Sequence, residues 1–421
     1  MAESSKTTKI LVIVISVVLL VVGIVVGYEI PRSSSSSSPT GLSGNVPIGV
    51  LLPLTGDFAS YGATAQVVAG YAENQINTYV SSVGLPYNFT FYTMDTQTNP
   101  SVALKDVQLL ASKGVQVITG LIDSSDVLSI EGYANANHIV IISSFSTTAG
   151  IGGGYIFRTV PHDTAEGIAL ADLVYGKGYK YVALLTREDS CDMDISGAFM
   201  AQFKALGGVI LTNITYPGGT SDFSSQISAL SSVVGPAVAK YGNNSVAIQT
   251  LTWSDVATLL SQAKSENSNI LNVNWFGGDG ATLSSTITTD AGAIAAQVHF
   301  LSPMYAAPNT SILQSLNNYV ETKLKVMPDI YSIILYDSLW IAALSIMEAG
   351  VNNGQVIKNV VPYVCDHYFG ASGWTELANN SNDRAGLNIE FYEVEQVTTN
   401  NYNWVLAATF DSTTQTVTWI S

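Results

Sequence analysis

The sequence predicts an α/β protein of two doubly wound parallel-sheet lobes, and three observations carry that prediction. Short apolar runs alternate with stretches of helical periodicity from Asn45 onward, the pattern of parallel strands covered by helices on both faces. The rhythm restarts after Pro161, so a second lobe follows the first. The chain has 421 residues, 47% of them hydrophobic, which supplies two cores of ordinary size.

Ahead of the alternation, Ile10 to Gly27 reads ILVIVISVVLLVVGIVVG, which at about 1.5 Å per residue nearly spans a bilayer core. Residues 10–28 are expected to be a transmembrane anchor or signal segment. Lys6 and Lys9 precede the run, placing residues 1–9 in the cytoplasm as a short tail and the remainder outside. No A-x-A site follows it, which favours an uncleaved anchor over a cleaved signal peptide. An archaeal type of leader, cut before the run, also leaves the protein on the membrane. Residues 31–44, PRSSSSSSPTGLSG, are expected to be a flexible stalk. The topology is one anchor, one tether and one large domain at the cell surface.

Within that domain, Val46 to Gly56 predicts a buried strand and a turn, and Tyr61 to Val80 a helix. Phe89 to Thr96 predicts a strand, and Ser101 to Gly114 a helix stopped by its glycine. VQVITGLI and HIVIISSFST continue as strands around another helix. After Pro161 come a helix from Thr164, the strand YVALLT, a helix from Ile195 and the strand GVILTNITY. VAIQTLT, a helix from Asp255 and ILNVNWFGG complete the alternation.

Composition narrows the function. With 16 Lys and Arg against 32 Asp and Glu, the formal charge is -16, which argues against nucleic acid or anionic lipid as partners. Disorder is excluded for most of the chain by 21 Tyr, 13 Phe and 6 Trp. Charged residues are only 11%, so the surface is polar through Ser, Thr, Asn, Gln and Tyr, as suits an acidic exterior. N-x-S/T acceptors at Asn88, Asn213, Asn243, Asn309 and Asn379 suit an exported glycoprotein. Two cysteines, Cys191 and Cys365, are open to one bridge or to two free thiols. The four histidines show no metal-ligand spacing. G-x-S-x-G, H-E-x-x-H and Walker signatures are absent, so the chain is not expected to be an enzyme, and no cofactor is implied.

Ligands of open parallel sheets bind beyond the carboxyl ends of the strands. Three such ends carry small polar groups. GLIDSSD offers the N–H groups and hydroxyls of Ser124 and Ser125 to a carboxylate, SSFSTTAG offers Thr147 and Thr148, and FGGDG presents Asp279 between glycines. Taken singly, a serine at a helix start is an N-cap and an aspartate beside glycine a turn. Together they complement a zwitterion such as an α-amino acid, with Tyr61, Trp253 and Tyr331 as aromatic walls.

The stretch from about Val46 to about Val397 resembles a type I periplasmic binding protein of the branched-chain amino acid and amide group, the substrate-binding components of ABC importers. IGVLLPLTGDFASYG is similar to that family's opening, with Tyr61 at its aromatic contact. GLIDSSD matches the loop whose serine, here Ser124, receives the ligand carboxylate, and the binding threonine falls on Thr147. NWFGGDG places the acidic residue for the ligand ammonium at Asp279, and YSIILYDSLWIAA places a pocket aromatic at Tyr331. GASGWTELANNSNDR resembles the late turn between lobes.

The chain departs from the family in one loop. Where a ligand-contacting Tyr-Gly is usual, it has REDSCDMDIS, with Cys191 or Asp192 at the tyrosine's place, and Asp189, Asp192 or Asp194 leave a polar or cationic ligand open as the alternative to the family's side-chain preference. A second family tyrosine corresponds to Thr252 or Trp253. The D-M-D of that loop lacks the spacing of a calcium site, and no metal is expected.

The resemblance implies two lobes joined by three crossings, residues 45–164 and 301–372 forming lobe one and 165–300 and 373–421 lobe two. It also implies capture of an amino acid with an apolar or uncharged polar side chain, or a related amide, and delivery to an ABC permease. A ligand-sensing ectodomain with a separate signalling partner, or a surface protein that kept only the fold, are the alternatives.

Overall fold

In strand β1 (Gly44–Leu52), alternate side chains serve two different cores. Val46, Ile48, Val50 and Leu52 face one cluster, while Leu51 faces another. The computed structural model describes residues 41–420 apart from 57, 380 and 413. The expected tail (1–9), anchor (10–28) and most of the stalk (31–44) lie outside the described residues.

The first sheet has the order β2-β1-β3-β4-β5 and is parallel throughout. Its other strands are β2 (Tyr87–Asp95), β3 (Val117–Gly120), β4 (Val140–Ser143) and β5 (Ile156–Arg158). Helices α1 (Ala59–Ser82), α2 (Pro100–Ser112) and α3 (Ser124–Asn137) connect them. The period of two continues here, because Val117, Val140 and Ile142 join the first core and Ile118 and Ile141 the second. Gly120 ends β3 at φ +151°, where an added Cβ would stand 1.9 Å from the Leu51 carbonyl oxygen, so the strand end cannot carry a side chain.

A first crossing after Arg158 leads into α4 (Asp163–Gly176) and the second sheet. Strands β6 (Tyr181–Arg187), β7 (Val209–Tyr216), β8 (Val246–Leu251), β9 (Asn274–Phe276) and β10 (Leu301–Ala306) are its parallel part. Helices α4 and α5 (Ser190–Ala205) cover one face. The other face packs on α6 (Ser224–Tyr241), α7 (Val256–Ser265), α8 (Ser285–Asp290) and α9 (Gly292–Gln297).

The second sheet departs from the sequence expectation in two ways. Residues 301–306 were expected in lobe one, yet β10 bonds to β9 and, antiparallel, to β13 (Asn388–Thr398), so the second crossing falls after Ala306. Nor is the second sheet purely parallel. Strands β13, β14 (Asn401–Asp411) and β15 (Thr416–Trp419) follow one another without a crossover helix and add an antiparallel edge, giving the order β15-β14-β13-β10-β9-β8-β6-β7.

Between the second and third crossings the chain returns to the first lobe through α10 (Ser311–Leu324), α11 (Ile330–Ala349) and α12 (Gly354–His367), followed by the short hairpin of β11 (Phe369–Gly370) and β12 (Gly373–Trp374). Helix α11 is apolar enough to cross a membrane, but 78% of its apolar window is buried and it serves as a core helix. Its buried carboxylate, on Asp337, accepts hydrogen bonds from the backbone N–H of Ala371 and of Ser372, both at 2.7 Å.

The crossings are tied to one another by charge. Asp383, on the third crossing, accepts from Arg158 Nε at the end of β5 and contacts His162 Nε2 at 2.7 Å on the first crossing. These bonds hold its carboxyl below the usual carboxylate range. Arg384, 3% exposed, donates to the carbonyl oxygens of Thr159 and Ser372. The two cysteines are free: Cys365 lies in the core beneath the first sheet and Cys191 packs against that of the second, so no bridge joins them. All five N-x-S/T asparagines are exposed.

Candidate functional site in the interlobe cleft

The loops that leave β1, β3 and β4 on one side, and β6, β8 and β9 on the other, meet in a cavity of about 400 Å³. Tyr61, Ser124, Ser125, Thr147, Cys191, Trp253, Asp279 and Tyr331 all line it. Asp192 does not, because the chain read as a loop from Arg187 to Ser196 is already helical at Ser190. That turn leaves Cys191 on the cleft and puts Asp192 in the interior, 1% exposed.

On the lobe-one side, Asp123 is the N-cap of α3. Its Oδ1 accepts from Ser125 N (2.8 Å), Asp126 N (3.1 Å) and Ser125 Oγ (2.6 Å). The Ser125 N–H offered to a ligand by the sequence reading is therefore already engaged. Ser124 Oγ lies 3.1 Å from Ser146 Oγ and accepts from Thr148 N at 3.4 Å, which joins the α3 start to the loop after β4. Ser143 Oγ shapes that loop by accepting from the N–H groups of Phe145 and Ser146 at 3.2 and 3.0 Å.

Four rings form the wall beside these hydroxyls. Phe145 packs edge-on to Phe58 (5.2 Å between centroids) and Tyr331 (4.7 Å), and Tyr61 lies 5.4 Å from Phe145 and 6.1 Å from Tyr331. Such edge-to-face contacts fix the rings in place before any ligand arrives.

On the lobe-two side, Arg187 leaves β6 with its guanidinium 5.2 Å from the Trp253 ring and its Nε 3.3 Å from Asp189 Oδ2. Asp189 caps α5 through Asp192 N at 2.9 Å. Trp253 in turn covers Gly280, where a Cβ would come within 3.2 Å of its ring. Asp279 donates its N–H to Glu166 Oε1 at 3.0 Å, and its Oδ2 accepts from Tyr331 OH at 3.3 Å across the lobes. The lobes also meet at the rim, where Ala149 N donates to Asp194 Oδ2 at 2.8 Å and Thr148 Oγ1 to Ser190 Oγ at 3.3 Å.

The floor of lobe two is acidic. Burial raises the Asp279 carboxyl, although the Tyr331 hydroxyl pulls it back. Burial and then the Asp279 charge lift Asp163 to about 7 and push Glu166 well above its ordinary value. Burial likewise raises the Cys191 thiol, which keeps it an inert wall of the cleft.

A family model described as periplasmic binding protein matches residues 45–381. The chain belongs to the periplasmic binding protein family. An uncharacterized protein of Methanocaldococcus jannaschii is 30% identical over 423 residues, covering 95% of this chain and 98% of its own length. Among solved structures, a leucine-binding protein of Thermotoga maritima superposes with a TM-score of 0.68 at 21% identity, covering 86% of this chain and 97% of its own. A solute-binding protein of an ABC transporter from Rhodopseudomonas palustris, in complex with 3,4-dihydroxybenzoic acid, gives 0.65 at 19% identity, over 87% of this chain and 98% of that one. These likenesses show the type I binding-protein fold.

Several lining residues were not found from sequence. Asp123 had a signal, since aspartate is as good an N-cap as serine and stands one residue ahead of Ser124. Phe58, Phe145 and Met304 had none, because nothing local separates a cleft aromatic or methionine from a core one. Behind the lining, Glu166 reaches Asp279 across 113 positions of sequence, which no local pattern signals.

Proposed function

We propose that this protein is an extracytoplasmic solute-binding protein that captures an amino acid or related amide in the interlobe cleft and delivers it to an ABC importer. The arrangement of Asp279 carries the reading. It is a carboxylate from one lobe, facing the hydroxyls of Ser124 and Thr147 on the other across a cavity of small-solute size. A ligand bonded to both sides stabilises the closed form by its differential affinity for it, and the closed form is what a permease would recognise. The apolar segment at residues 10–28 would hold the domain at the outer face of the membrane, and the exposed asparagines would be open to glycosylation.

A thermal-shift screen of the full chain against the twenty amino acids, short amides and hydroxybenzoates tests this. A ligand at a hundred times its dissociation constant adds about 2.7 kcal/mol to stability, a readable shift. Stabilisation by one amino acid or amide is expected. Stabilisation by hydroxybenzoates alone would keep the solute-binding role and discard the amino-acid reading, and no response to any compound would reject both.

A further inference from the structure

Of the side chains lining the cleft, Asp123, Asp189 and Asp279 are acidic and Arg187 alone is basic. Arg187 is committed to Asp189 and to the face of Trp253. Behind the lining stand Asp163 and Glu166, each 2% exposed, and Asp192, 1% exposed; none has an ion-pair partner among the described residues. Asp163 lies against Thr147 and Cys191, both on the cleft surface. Asp163 Oδ2 and Asp192 Oδ2 also lack a hydrogen-bond partner among the described residues.

A ligand with one ammonium and one carboxylate leaves this balance where it was. Its carboxylate would also enter a negative potential, and the α3 amides that ordinarily offset such a charge are held by Asp123. An additional positive charge on the ligand reduces the mismatch. The wall of Tyr61, Phe145 and Tyr331 suits it too, since aromatic faces attract cations.

We infer that the solute is a net-cationic amino acid, one with an ammonium or guanidinium side chain, in place of the uncharged side chain that the family resemblance implies. This rests on the solute-binding reading above. The residues that set the preference are Asp279 and Asp123, one from each lobe.

Calorimetric titration of the full chain with L-lysine, L-arginine, L-norleucine and cadaverine tests it. Norleucine is close to lysine without the terminal charge, and cadaverine is lysine without the carboxylate. The expected result is binding of lysine or arginine at least tenfold tighter than norleucine and than cadaverine, weakening as salt rises. Norleucine binding as tightly as lysine would overturn the inference and leave the solute-binding role intact. Cadaverine binding as tightly as lysine would overturn its amino-acid half, because Ser124 and Thr147 would then hold no carboxylate. Absence of heat with all four, beside a thermal shift from some neutral solute, would overturn the inference alone; absence of any ligand in either experiment would overturn both.

Discussion

Replacing Asp279 by alanine is expected to weaken ligand binding by two to three orders of magnitude while leaving the empty protein as stable as before, or more so. The loss follows from stranding a cation in a closed cleft. Removing one partner of a buried ion pair costs about 3–5 kcal/mol, and about 1.4 kcal/mol is tenfold in affinity. Arg187, the one basic residue of the lining, cannot substitute for a lost carboxylate. Stability moves the other way because Asp279 raises the carboxyls of Asp163 and Glu166, so its removal relieves repulsion among acids held close together. Calorimetry and thermal melting of the same variant check both halves. Unchanged affinity would remove Asp279 from the site, and a large drop in melting temperature would make it a structural residue.

The second large effect is with pH. Asp126, in α3, and Asp163, at the start of α4, are each raised from an ordinary 3.8 to about 7, chiefly by burial. Groups that bind protons more readily when folded contribute stability that is complete below their unfolded value and is lost as pH rises through the folded one. The loss therefore runs from about pH 4 to about pH 7, at up to about 1.4 kcal/mol per pH unit for each group. Asp383 acts in the opposite sense, being held low by Arg158 and His162, but its contribution is lost only at pH values below the ordinary carboxylate range. The protein is expected to melt several degrees higher at pH 5 than at pH 7.5. Melting curves at constant ionic strength would show it, and a lower midpoint at pH 5 would contradict the assignment of these two carboxyls.

Much of the fold is legible in the sequence because both sheets are covered on both faces. Apolar runs such as VITG and VIIS can only be interior strands, and their polar ends then mark the cleft. What periodicity cannot say is which sheet a strand joins. LSPMYA at 301–306 carries a proline and sits one crossing away from lobe one, and its place beside β9 is fixed only by pairing with Phe276 and with β13. The acidic run after Arg187 conceals its helix for a different reason. Asp189 followed by Asp192 N–H is a capping arrangement, and the charges hid a helix start. In the site, Asp279, Ser124, Thr147 and Tyr331 stand at strand ends or helix starts with a local signature. Glu166 accepts from Asp279 N–H and Asp163 feels the Asp279 charge from another segment, so their part is a property of the folded chain.

Whether one solute is held between the two lobes is read from hydrogen exchange with and without the ligand that gives the largest thermal shift. Slowed exchange is expected on both sides of the cleft together, in the segments 143–150 and 121–127 of one lobe and 187–196 and 276–282 of the other. Protection confined to one lobe, or found instead around the separate cavity formed by Trp374, Arg384 and Asn388 at the crossings, would contradict it.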